Sequence, residues 1–343
     1  MQISTIGVDL AKNVFQIHGV DESGKVVLMR QLRRKQVLEF FGKLAPCLVG
    51  MEACGTAHYW ARELAKLGHT VRMMPPSYVK GYVKRSKNDA ADAAAICEAV
   101  TRPSMRFVPV KTAEQQAALM LHRTRDLLIR QRTQLINALR AHLAELGLVA
   151  EKGRDGIAEL AAIVTDESNS HELPVAMKQA LQALLNQFAA LQTQIGELDR
   201  GIHAQHRAND VSRRLETIPG IGIIGATAIA ATIADPSAFK TGRDLAAWIG
   251  LVPRQHSTGG KEKLGGISKQ GDRYLRRMLV VGATAVIQQA RRHPERHRWI
   301  IALLAKKPAK LVAVAVANKM ARIAWAVMAK GGIYRAPELA AAA

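Results

Sequence analysis

The chain has 343 residues, of which 48% are hydrophobic, so it can form packed cores in two or three domains and is not a disordered tail protein. Lysine and arginine number 49 against 28 acidic residues, and the formal charge of +21 favours a phosphate backbone as partner over a membrane surface. Aromatic residues make up only 4%, which argues against a base-stacking single-strand binder, and we find no apolar run of transmembrane length.

Residues 1–112 are predicted to form an α/β unit. Runs rich in β-branched residues predict strands, and amphipathic segments that end at glycine or proline predict helices. The predicted strands are "ISTIGVDL", "VFQIHGV", "KVVLMRQ", "CLVGME" and "TVRMM", and the predicted helices cover 35–44, 56–68 and 87–100. The order β-β-β-α-β-α-β-α suits one domain of ordinary size.

Residues 113–206 are predicted to form a long helical region. The segment 113–147 has no proline or glycine before Gly147, and the segment 175–206 carries a heptad pattern. One seam of that pattern consists of Leu181, Phe188, Ile195 and Ile202, and the other consists of Leu184, Leu191 and Leu198. An antiparallel helical hairpin, an intermolecular coiled coil and an ordinary amphipathic bundle all remain open.

Residues 207–343 are predicted to be mostly helical. The turn "IPGIG" between two helical stretches indicates a helix–hairpin–helix, in which Gly220 and Gly222 let backbone N–H groups approach a phosphate. A plain tight turn is the alternative. A basic segment follows at 254–277, and a uniformly apolar helix is predicted over 310–329.

Four carboxylates in the α/β unit are candidates for a metal site. Asp9 ends the first predicted strand and Glu52 a later one, while Asp89 and Asp92 share one face of the helix 87–100. Two like charges three residues apart repel unless a cation lies between them. Hard oxygen ligands from separate elements are what a two-metal phosphoryl-transfer site requires. The set therefore predicts a site for Mg²⁺, with Mn²⁺ as an alternative.

Basic residues in two segments of the sequence are candidates for nucleic-acid contact, with a solvated basic face as the alternative. They are Lys84, Arg85 and Lys87 beside the acids, with Lys80 close by, and Lys261, Lys263, Lys269, Arg273, Arg276 and Arg277 in the basic segment. The three cysteines have no metal-ligand spacing and form no even disulfide set, and the N-terminus has no signal-peptide pattern. A cytoplasmic location is expected.

Ser257 in "HSTGG" is the candidate nucleophile, because it lies in a glycine-flanked segment that we expect to be a flexible loop among cations. A loop or capping serine is the alternative reading. Ser268 competes with it, although its place before "DRYLRRML" suits a helix-start role. His256 is a weak candidate for proton relay, and Pro294 with the surrounding arginines makes His293 and His297 an improbable metal pair.

The motifs "GVDLAKNVFQIH", "VGMEACGTAHYW", "KNDAADA", "IPGIG" and "HSTGGKEKLGGISKQGDRYLRRML" together closely resemble the DEDD transposases of insertion sequences, the family that includes the Piv DNA invertases and the bridge-RNA-guided recombinases. The resemblance covers nearly the whole chain. It implies a ribonuclease-H-like (RuvC-like) N-terminal domain, a coiled-coil region over 113–206 and a C-terminal transposase domain over 207–343.

The resemblance also implies roles for single residues. The DEDD acids correspond to Asp9, Glu52, Asp89 and Asp92, and the nucleophilic serine that links covalently to DNA corresponds to Ser257. The implied partners are the double-stranded DNA of element ends and target, a guide (bridge) RNA and further copies of the chain in a dimer or tetramer. The implied location is the bacterial cytoplasm, at the nucleoid.

Two other functions fit the same composition. A Holliday-junction nuclease would use water as the nucleophile and leave Ser257 without a role, which the "STGGK" segment argues against. A nucleic-acid-binding protein without catalysis would not need four acids in this arrangement. The predicted function is therefore a DNA recombinase that excises and inserts its own element.

Overall fold

A computed structural model describes residues 2–83, 88–168, 171 and 173–336. The chain forms two compact units, each described by itself below. Unit 1 comprises Met1–Gln116 and Ile233–Lys240, and unit 2 comprises Ala117–Thr232 and Thr241–Ala343. The helical region and the C-terminal region thus share one compact unit, whereas the sequence predicts them as separate domains.

Unit 1 has the element order that the sequence predicts, with one short helix added. In chain order the elements are β1 (Thr5–Asp9), β2 (Val14–Val20), β3 (Val26–Arg33), α1 (Val37–Gly42), β4 (Leu48–Glu52), α2 (Ala57–Lys66), β5 (Thr70–Met74), α3 (Pro76–Val79) and α4 (Asp89–Ala99). Helix α3 was not predicted, although Pro76 at its first position is a helix-start signal.

The five strands form one mixed sheet in the order β3-β2-β1-β4-β5. Strands β1, β2 and β3 are antiparallel neighbours, whereas β4 and β5 run parallel to β1. Phe15, Ile17 and Trp60 are buried in the hydrophobic cluster of this sheet and its helices. The arrangement is consistent with the ribonuclease-H-like fold that the family resemblance implies.

Helix α4 packs directly on β1 and β4 because two glycines leave room for it. Gly7 and Gly50 are register partners on these adjacent strands. A Cβ atom at Gly7 would lie 2.1 Å from the carbonyl oxygen of Ala93, and one at Gly50 would lie 2.8 Å from Cβ of Val100. The helix backbone therefore rests on the sheet at a distance that side chains do not permit.

Unit 2 is mostly helical. Its elements are α5 (Ala113–Ala144, whose first residues belong to unit 1), α6 (Arg154–Thr165), α7 (Val175–Ala208), α8 (Asp210–Glu216), α9 (Ile223–Thr232), α10 (Gly242–Ile249), β6 (Pro253–Gln255), β7 (Leu264–Ile267), α11 (Arg273–Arg292), α12 (Arg298–Leu304) and α13 (Ala309–Lys330). Strands β6 and β7 form a two-stranded antiparallel hairpin.

Helices α5 and α7 pair in antiparallel directions within the chain. Arg125 forms an ion pair with Asp199, and Arg132 donates to Oε1 of Gln192 at 2.7 Å, so residue numbers rise on one helix as they fall on the other. Of the predicted seam, Leu181, Leu191, Ile195 and Ile202 are buried. The antiparallel hairpin is the arrangement observed, and supercoiling of the two helices stays a prediction.

The turn between α8 and α9 packs against two other helices. Gly220 has a φ of 85° and lies so close to Gly282 of α11 that a Cβ would be 2.8 Å from the Gly282 carbonyl oxygen. Met320 of α13 touches the same point. The close approach at Gly220 therefore serves internal packing. Gly222 is exposed with open space around it, and its predicted contact with phosphate stays a prediction, as does the helix–hairpin–helix itself.

The expectation that the chain has no apolar segment of transmembrane length was wrong for α13. Among the helices of the described residues, α13 alone is long and apolar enough, by length and composition, to cross a membrane. It packs against α8, α10, α11 and α12 of unit 2 and contributes Val312, Val316 and Ala317 to the core. The core helix of a water-soluble protein meets the same two criteria, so this finding does not point to a membrane.

His122 of α5 is buried as a neutral imidazole. Its side chain is 1% exposed, and its Nδ1 lies 3.1 Å from the hydroxyl of Tyr274. Nε2 has no hydrogen-bond partner among the described residues. Burial, assisted by the charge of Arg125, lowers the pKa of His122 to about 4.

We expect Gly7→Ala to destabilise unit 1, because the added methyl group collides with the backbone of α4. The free energy of unfolding should fall by about 1–3 kcal/mol, as for other overpacked cores, and divalent-cation binding by the acids beside α4 should weaken. Urea unfolding and Mn²⁺ titration measure the two effects. Gly81→Ala is the control, since a Cβ there meets open space. Equal stability of the two variants would contradict the close packing described for α4.

We expect the contribution of His122 to stability to be lost as the pH falls. Above its ordinary pKa of 6.5 the imidazole is neutral in both states, whereas between about 6.5 and 4 only the unfolded chain takes up the proton. The difference in unfolding free energy between the native chain and His122→Gln should shrink by about 2 kcal/mol from pH 7 to pH 5. A constant difference for His122→Gln would contradict the lowered pKa.

Candidate functional site

Two of the four predicted acids lie at one edge of the sheet. Asp9 is the last residue of β1 and Glu52 is the last residue of β4. These strands are parallel and Val8 pairs with Met51, so the carboxylates of Asp9 and Glu52 lie at the adjacent ends of β1 and β4. This is the edge at which the carboxyl ends of parallel strands place functional groups in open α/β sheets.

The other two acids occupy the first turn of α4. Asn88 caps this helix by accepting a hydrogen bond from the backbone N–H of Ala91 at 2.8 Å. Asp89 and Asp92 follow on one face, where the positive end of the helix dipole favours carboxylates. The packing of α4 on Gly7 brings this turn to the end of β1. The carboxylate oxygens of Asp9, Asp89 and Asp92 lie within 4.8 Å of one another.

This triplet suits a divalent cation. Three carboxylates at such distances repel one another unless a positive charge is shared among them, and hard oxygen ligands are those that Mg²⁺ and Mn²⁺ take. Asp89 is exposed, and Asp9 and Asp92 are half-buried, so solvent can reach the cluster. Glu52 ends the adjacent strand but does not belong to the close triplet, and its role as a fourth ligand stays a prediction.

Ser257 lies near the tip of the β6–β7 hairpin. Gly259 and Gly260 both have positive φ, 55° and 77°, as the two central residues of a type I′ turn require, and Thr258 pairs with Lys261 across that turn. The segment that we expected to be a flexible loop is therefore an extension of a β-ribbon. Ser257 is exposed, and its Oγ accepts a hydrogen bond from Nε2 of Gln255 at 3.1 Å.

The hairpin register places a carboxylate opposite the serine. Gln255 pairs with Leu264, and the N–H of His256 donates to the carbonyl oxygen of Lys263 at 2.9 Å, so Ser257 faces Glu262. Directly opposite side chains have Cβ atoms about 5 Å apart on one face of a ribbon. The sequence reasoning did not single out Glu262, and only the turn geometry could have identified it. His256 points to the other face, which does not favour it as a relay.

The basic residues predicted to contact nucleic acid differ in what the structure describes of them. Lys84, Arg85 and Lys87 lie outside the described residues. Lys261, Lys263, Lys269 and Arg273 are exposed on the hairpin and at the start of α11. By strand alternation, Lys261 and Lys263 project from the face of the ribbon opposite to Ser257. None of these contacts is tested by the structure, and all of them stay predictions.

Two of the predicted arginines have internal partners. The guanidinium of Arg276 donates to the carbonyl oxygens of Ile249 and Gln270, both at 2.6 Å. Arg277 pairs with Asp126 and lies over the ring of Tyr274, 5.2 Å from its centroid. Their positions fix the start of α11 beside α10 and α5. Sequence alone does not reveal these partners, and the predicted contact of both arginines with nucleic acid stays a prediction.

Ser268 does not start a helix, contrary to our expectation. It follows β7, and its Oγ accepts a weak hydrogen bond from the N–H of Gln270 at 3.5 Å. The side chain of Asp272 caps α11 instead, accepting from the N–H of Leu275 at 2.8 Å. Ser268 is half-buried beyond the stem of the hairpin, where it is less exposed than Ser257.

A serine–histidine–glutamate constellation lies elsewhere in unit 2. Nδ1 of His206 is 2.8 Å from Oγ of Ser212, and its Nε2 is 2.9 Å from Oε2 of Glu216. Such a set resembles a hydrolase triad, but Ser212 is 0% exposed and no substrate can reach its oxygen. The set joins α7 to α8 as a buried polar network.

Two protein families match separate segments of this chain. Residues 6–147 match the DEDD transposases of the IS110 type, and residues 212–298 match the transposase family IS116/IS110/IS902. The first segment contains Asp9, Glu52, Asp89 and Asp92, and the second contains Ser257. The two matches thus cover both candidate sites.

Relatives match the chain over most of its length. A protein of Pseudomonas aeruginosa described as a probable family 20 transposase is 52% identical, covering 98% of this chain and 99% of its own. The transposase for insertion sequence element IS1328 of Yersinia enterocolitica is 41% identical over 97% of this chain and 98% of its own. The pilin gene-inverting protein of Moraxella bovis is 26% identical over 81% of this chain and 79% of its own.

We expect Asp89→Asn and Asp92→Asn each to weaken Mn²⁺ binding at least tenfold, because each change removes a carboxylate from the close triplet. Isothermal titration of the full chain measures this without any DNA. DNA binding should persist, since either variant is more positive than the native chain. Glu98→Gln is the control, because its carboxylate lies on the same helix but pairs with Arg102. Native affinity in either aspartate variant would remove that residue from the site.

Proposed function

The chain belongs to the IS116/IS110/IS902 family of insertion-sequence transposases, and we propose that it cuts and rejoins DNA through a covalent bond between Ser257 and a strand phosphate. The observation that carries this proposal is the exposed hydroxyl of Ser257 near the tip of a basic β-ribbon, inside the segment that matches the family. A hydroxyl that attacks a duplex must protrude from the protein, and the ribbon makes it protrude.

In the proposed reaction, Oγ of Ser257 attacks the phosphorus of one phosphodiester. The serine proton passes to a base, the bond from phosphorus to one nucleotide oxygen breaks, and that oxygen takes up a proton from the base or from solvent and leaves as a hydroxyl. Attack by a hydroxyl of another DNA end on the phosphoserine reverses the step and releases the serine. One phosphoester bond forms for each that breaks, so the cycle needs no energy-rich cofactor.

The residues around Ser257 supply orientation and a candidate base. Gln255 holds Oγ by donating a hydrogen bond to it, which leaves the hydroxyl proton free to point elsewhere. Glu262, opposite in the register, offers a carboxylate on the same face of the ribbon as that proton. Lys261 and Lys263 on the other face supply positive charge that attracts the strand.

The acids of unit 1 form the second part of the proposal. Asp9, Asp89 and Asp92, with Glu52 as a proposed fourth ligand, would hold Mg²⁺ or Mn²⁺. Such a cation, when bound, stabilises negative charge on attacking and leaving phosphate oxygens. The packing of α4 on Gly7 and Gly50 keeps the carboxylates together before the cation arrives.

The partners follow from the family and the charge. The transposase binds DNA, and we propose the double-stranded ends of its element and a target as substrates, a guide (bridge) RNA that selects them, and a homodimer or homotetramer as the active form. The charge of +21 supports binding of two polyanions. We propose the bacterial cytoplasm, at the nucleoid, as the place of action.

A junction nuclease that uses water is the alternative for the same acids, and Ser257 decides between the two. We expect Ser257→Ala to abolish both strand cleavage and the protein–DNA adduct, because alanine has no oxygen to attack phosphorus. Labelled donor DNA incubated with Mg²⁺, then denatured and resolved on a gel, shows the adduct directly. Ser268→Ala is the matched control and should keep it.

The outcomes separate the proposals. Cleavage by Ser257→Ala without adduct would identify the water-using nuclease. An adduct that persists in Ser257→Ala but disappears in Ser268→Ala would move the nucleophile to Ser268. Loss of the adduct in Asp9→Asn, with DNA binding retained, is the expected sign that the acids take part in the same reaction.

A further inference from the structure

An open groove of about 970 Å³ lies within unit 2 beside the hairpin that carries Ser257. One wall is α13, another is the start of α10, and a third is the stem of the hairpin. Most of the lining is apolar and includes Leu251, Ile267, Val314 and Ile323. The volume is at the upper end of the range for small-molecule pockets, about 300–1,000 Å³, so the groove has room for a chain segment.

The rim of the groove is cationic and carries an exposed indole. Arg243, Lys319 and Arg322 line it, and the described lining residues include no aspartate or glutamate. Trp299 is 44% exposed, and Nζ of Lys319 lies 4.6 Å from the centroid of its ring. The indole and the apolar lining, with three cations beside them, are complementary to a ligand that has both a planar ring and a negatively charged group.

Close packing fixes the backbone from which the side chains of Arg243 and Arg322 project. Gly242, the first residue of α10, lies against α13 so tightly that a Cβ would be 2.9 Å from the carbonyl oxygen of Arg322. The side chain of Asn318 donates to the carbonyl oxygen of Leu251 at 3.1 Å and joins α13 to the segment that follows α10. The groove is therefore built by the core of unit 2 and does not depend on mobile side chains.

The groove and Ser257 share one face of the ribbon. Pro253 and Ile267 are register partners that line the groove. The register shifts by one residue before the next pair, Gln255 and Leu264, and the extra residue lies on β7, so Gln255 and Ser257 still follow Pro253 on β6 at intervals of two residues. Four residues of extended chain separate Ser257 from Pro253 by about 13 Å. The bare backbone of Gly265 and Gly266 forms the nearby wall, as at sites where a ligand approaches a strand closely.

We propose that this groove binds unpaired nucleotides of the DNA strand next to the phosphate that Ser257 attacks. The bases lie on the apolar floor and on Trp299, and the phosphates contact Arg243, Lys319 and Arg322. The proposal rests on the proposed function, since it takes Ser257 as the point of strand cleavage. It gives the groove a substrate class that the family assignment does not supply.

A recombinase has a physical need for such a site. To join a new partner, a cut strand must leave its old complement, and unpairing costs a few kcal/mol per nucleotide. Stacking on an aromatic side chain recovers a comparable amount for each base and is independent of sequence. The low aromatic content of the whole chain argued against a single-strand binder, but one exposed indole beside three cations suffices for a short gap.

The test uses the full chain in EDTA, so that binding is measured without cleavage. Fluorescence anisotropy compares a labelled duplex containing a short single-stranded gap with a continuous duplex of equal length. We expect Trp299→Ala to weaken binding of the gapped duplex about tenfold and that of the continuous duplex less than about twofold. Trp299→Phe, which keeps an aromatic face, should restore most of the loss.

Charge variants give a second measurement that does not depend on the indole. Arg322→Gln should lower affinity for the gapped duplex more than for the continuous one. Lys330→Gln, an exposed change of equal charge at the end of the same helix and outside the groove, should lower both equally. Thermal unfolding of each variant checks that unit 2 remains folded.

Several results would overturn the proposal. Equal losses on both duplexes in Trp299→Ala and Arg322→Gln would make the groove a general phosphate contact. Unchanged DNA binding with a changed molar mass would mean that a second copy of the chain covers it, and a loss confined to single-stranded RNA would assign it to RNA. Failure of the Ser257 adduct experiment is distinguishable, because gap binding in EDTA does not require an active serine.

Discussion

The contact of α4 with Gly7 and Gly50 is the constraint on which the candidate metal site depends. Two glycines on adjacent parallel strands are register partners, and α4 lies on both. A side chain at Gly7 would push the helix away and separate Asp89 and Asp92 from Asp9. The acids are thus held near one another by backbone packing at a point two residues before Asp9. The carboxylates themselves repel, so the energy that gathers them comes from burial of Ala93, Ile96 and Cys97.

Glycine residues also position the elements of unit 2 that carry and support Ser257. In the proposed reaction the hydroxyl of Ser257 has to protrude while its position stays defined, and a type I′ turn at Gly259 and Gly260 extends the ribbon without a loose loop. Arg276 ties the segment before α11 to the end of α10, and Gly242 fixes α10 on α13. Glycine permits the positive φ of the turn at Gly259 and Gly260, and it permits the close approach of α10 to α13 at Gly242.

The sequence predicted the elements of unit 1 well. Its strands consist of alternating apolar and polar residues or of continuous apolar residues, and its turns contain glycine and proline. Of the four acids that the sequence grouped, Asp9, Asp89 and Asp92 lie close together, because their element ends share one edge, whereas the place of Glu52 in the site stays a prediction. The sequence could not reveal that Arg276 and Arg277 have protein partners, because those partners are distant in sequence, and their predicted contact with nucleic acid stays a prediction. It placed a helix start at Ser268 where Asp272 caps, and it missed Glu262, whose position depends on hairpin register alone.

The charge of the acidic cluster would couple the binding of a divalent cation to the binding of a nucleic-acid strand. A cluster of three carboxylates repels a phosphate strand, even in a protein of net charge +21, as long as the cluster is not neutralised. A divalent cation held by the three carboxylates of Asp9, Asp89 and Asp92 would cancel most of their negative charge, and a bound strand would in turn add oxygen atoms that favour the cation. By thermodynamic reciprocity, each ligand then raises the affinity for the other by the same factor. The groove beside Trp299 has no acidic residue among its described lining, so the nucleotide binding that we propose there would carry no such linkage. In the proposed reaction, divalent ions would therefore control strand binding at the acids of unit 1, whereas the binding that we propose for the groove of unit 2 would not require them.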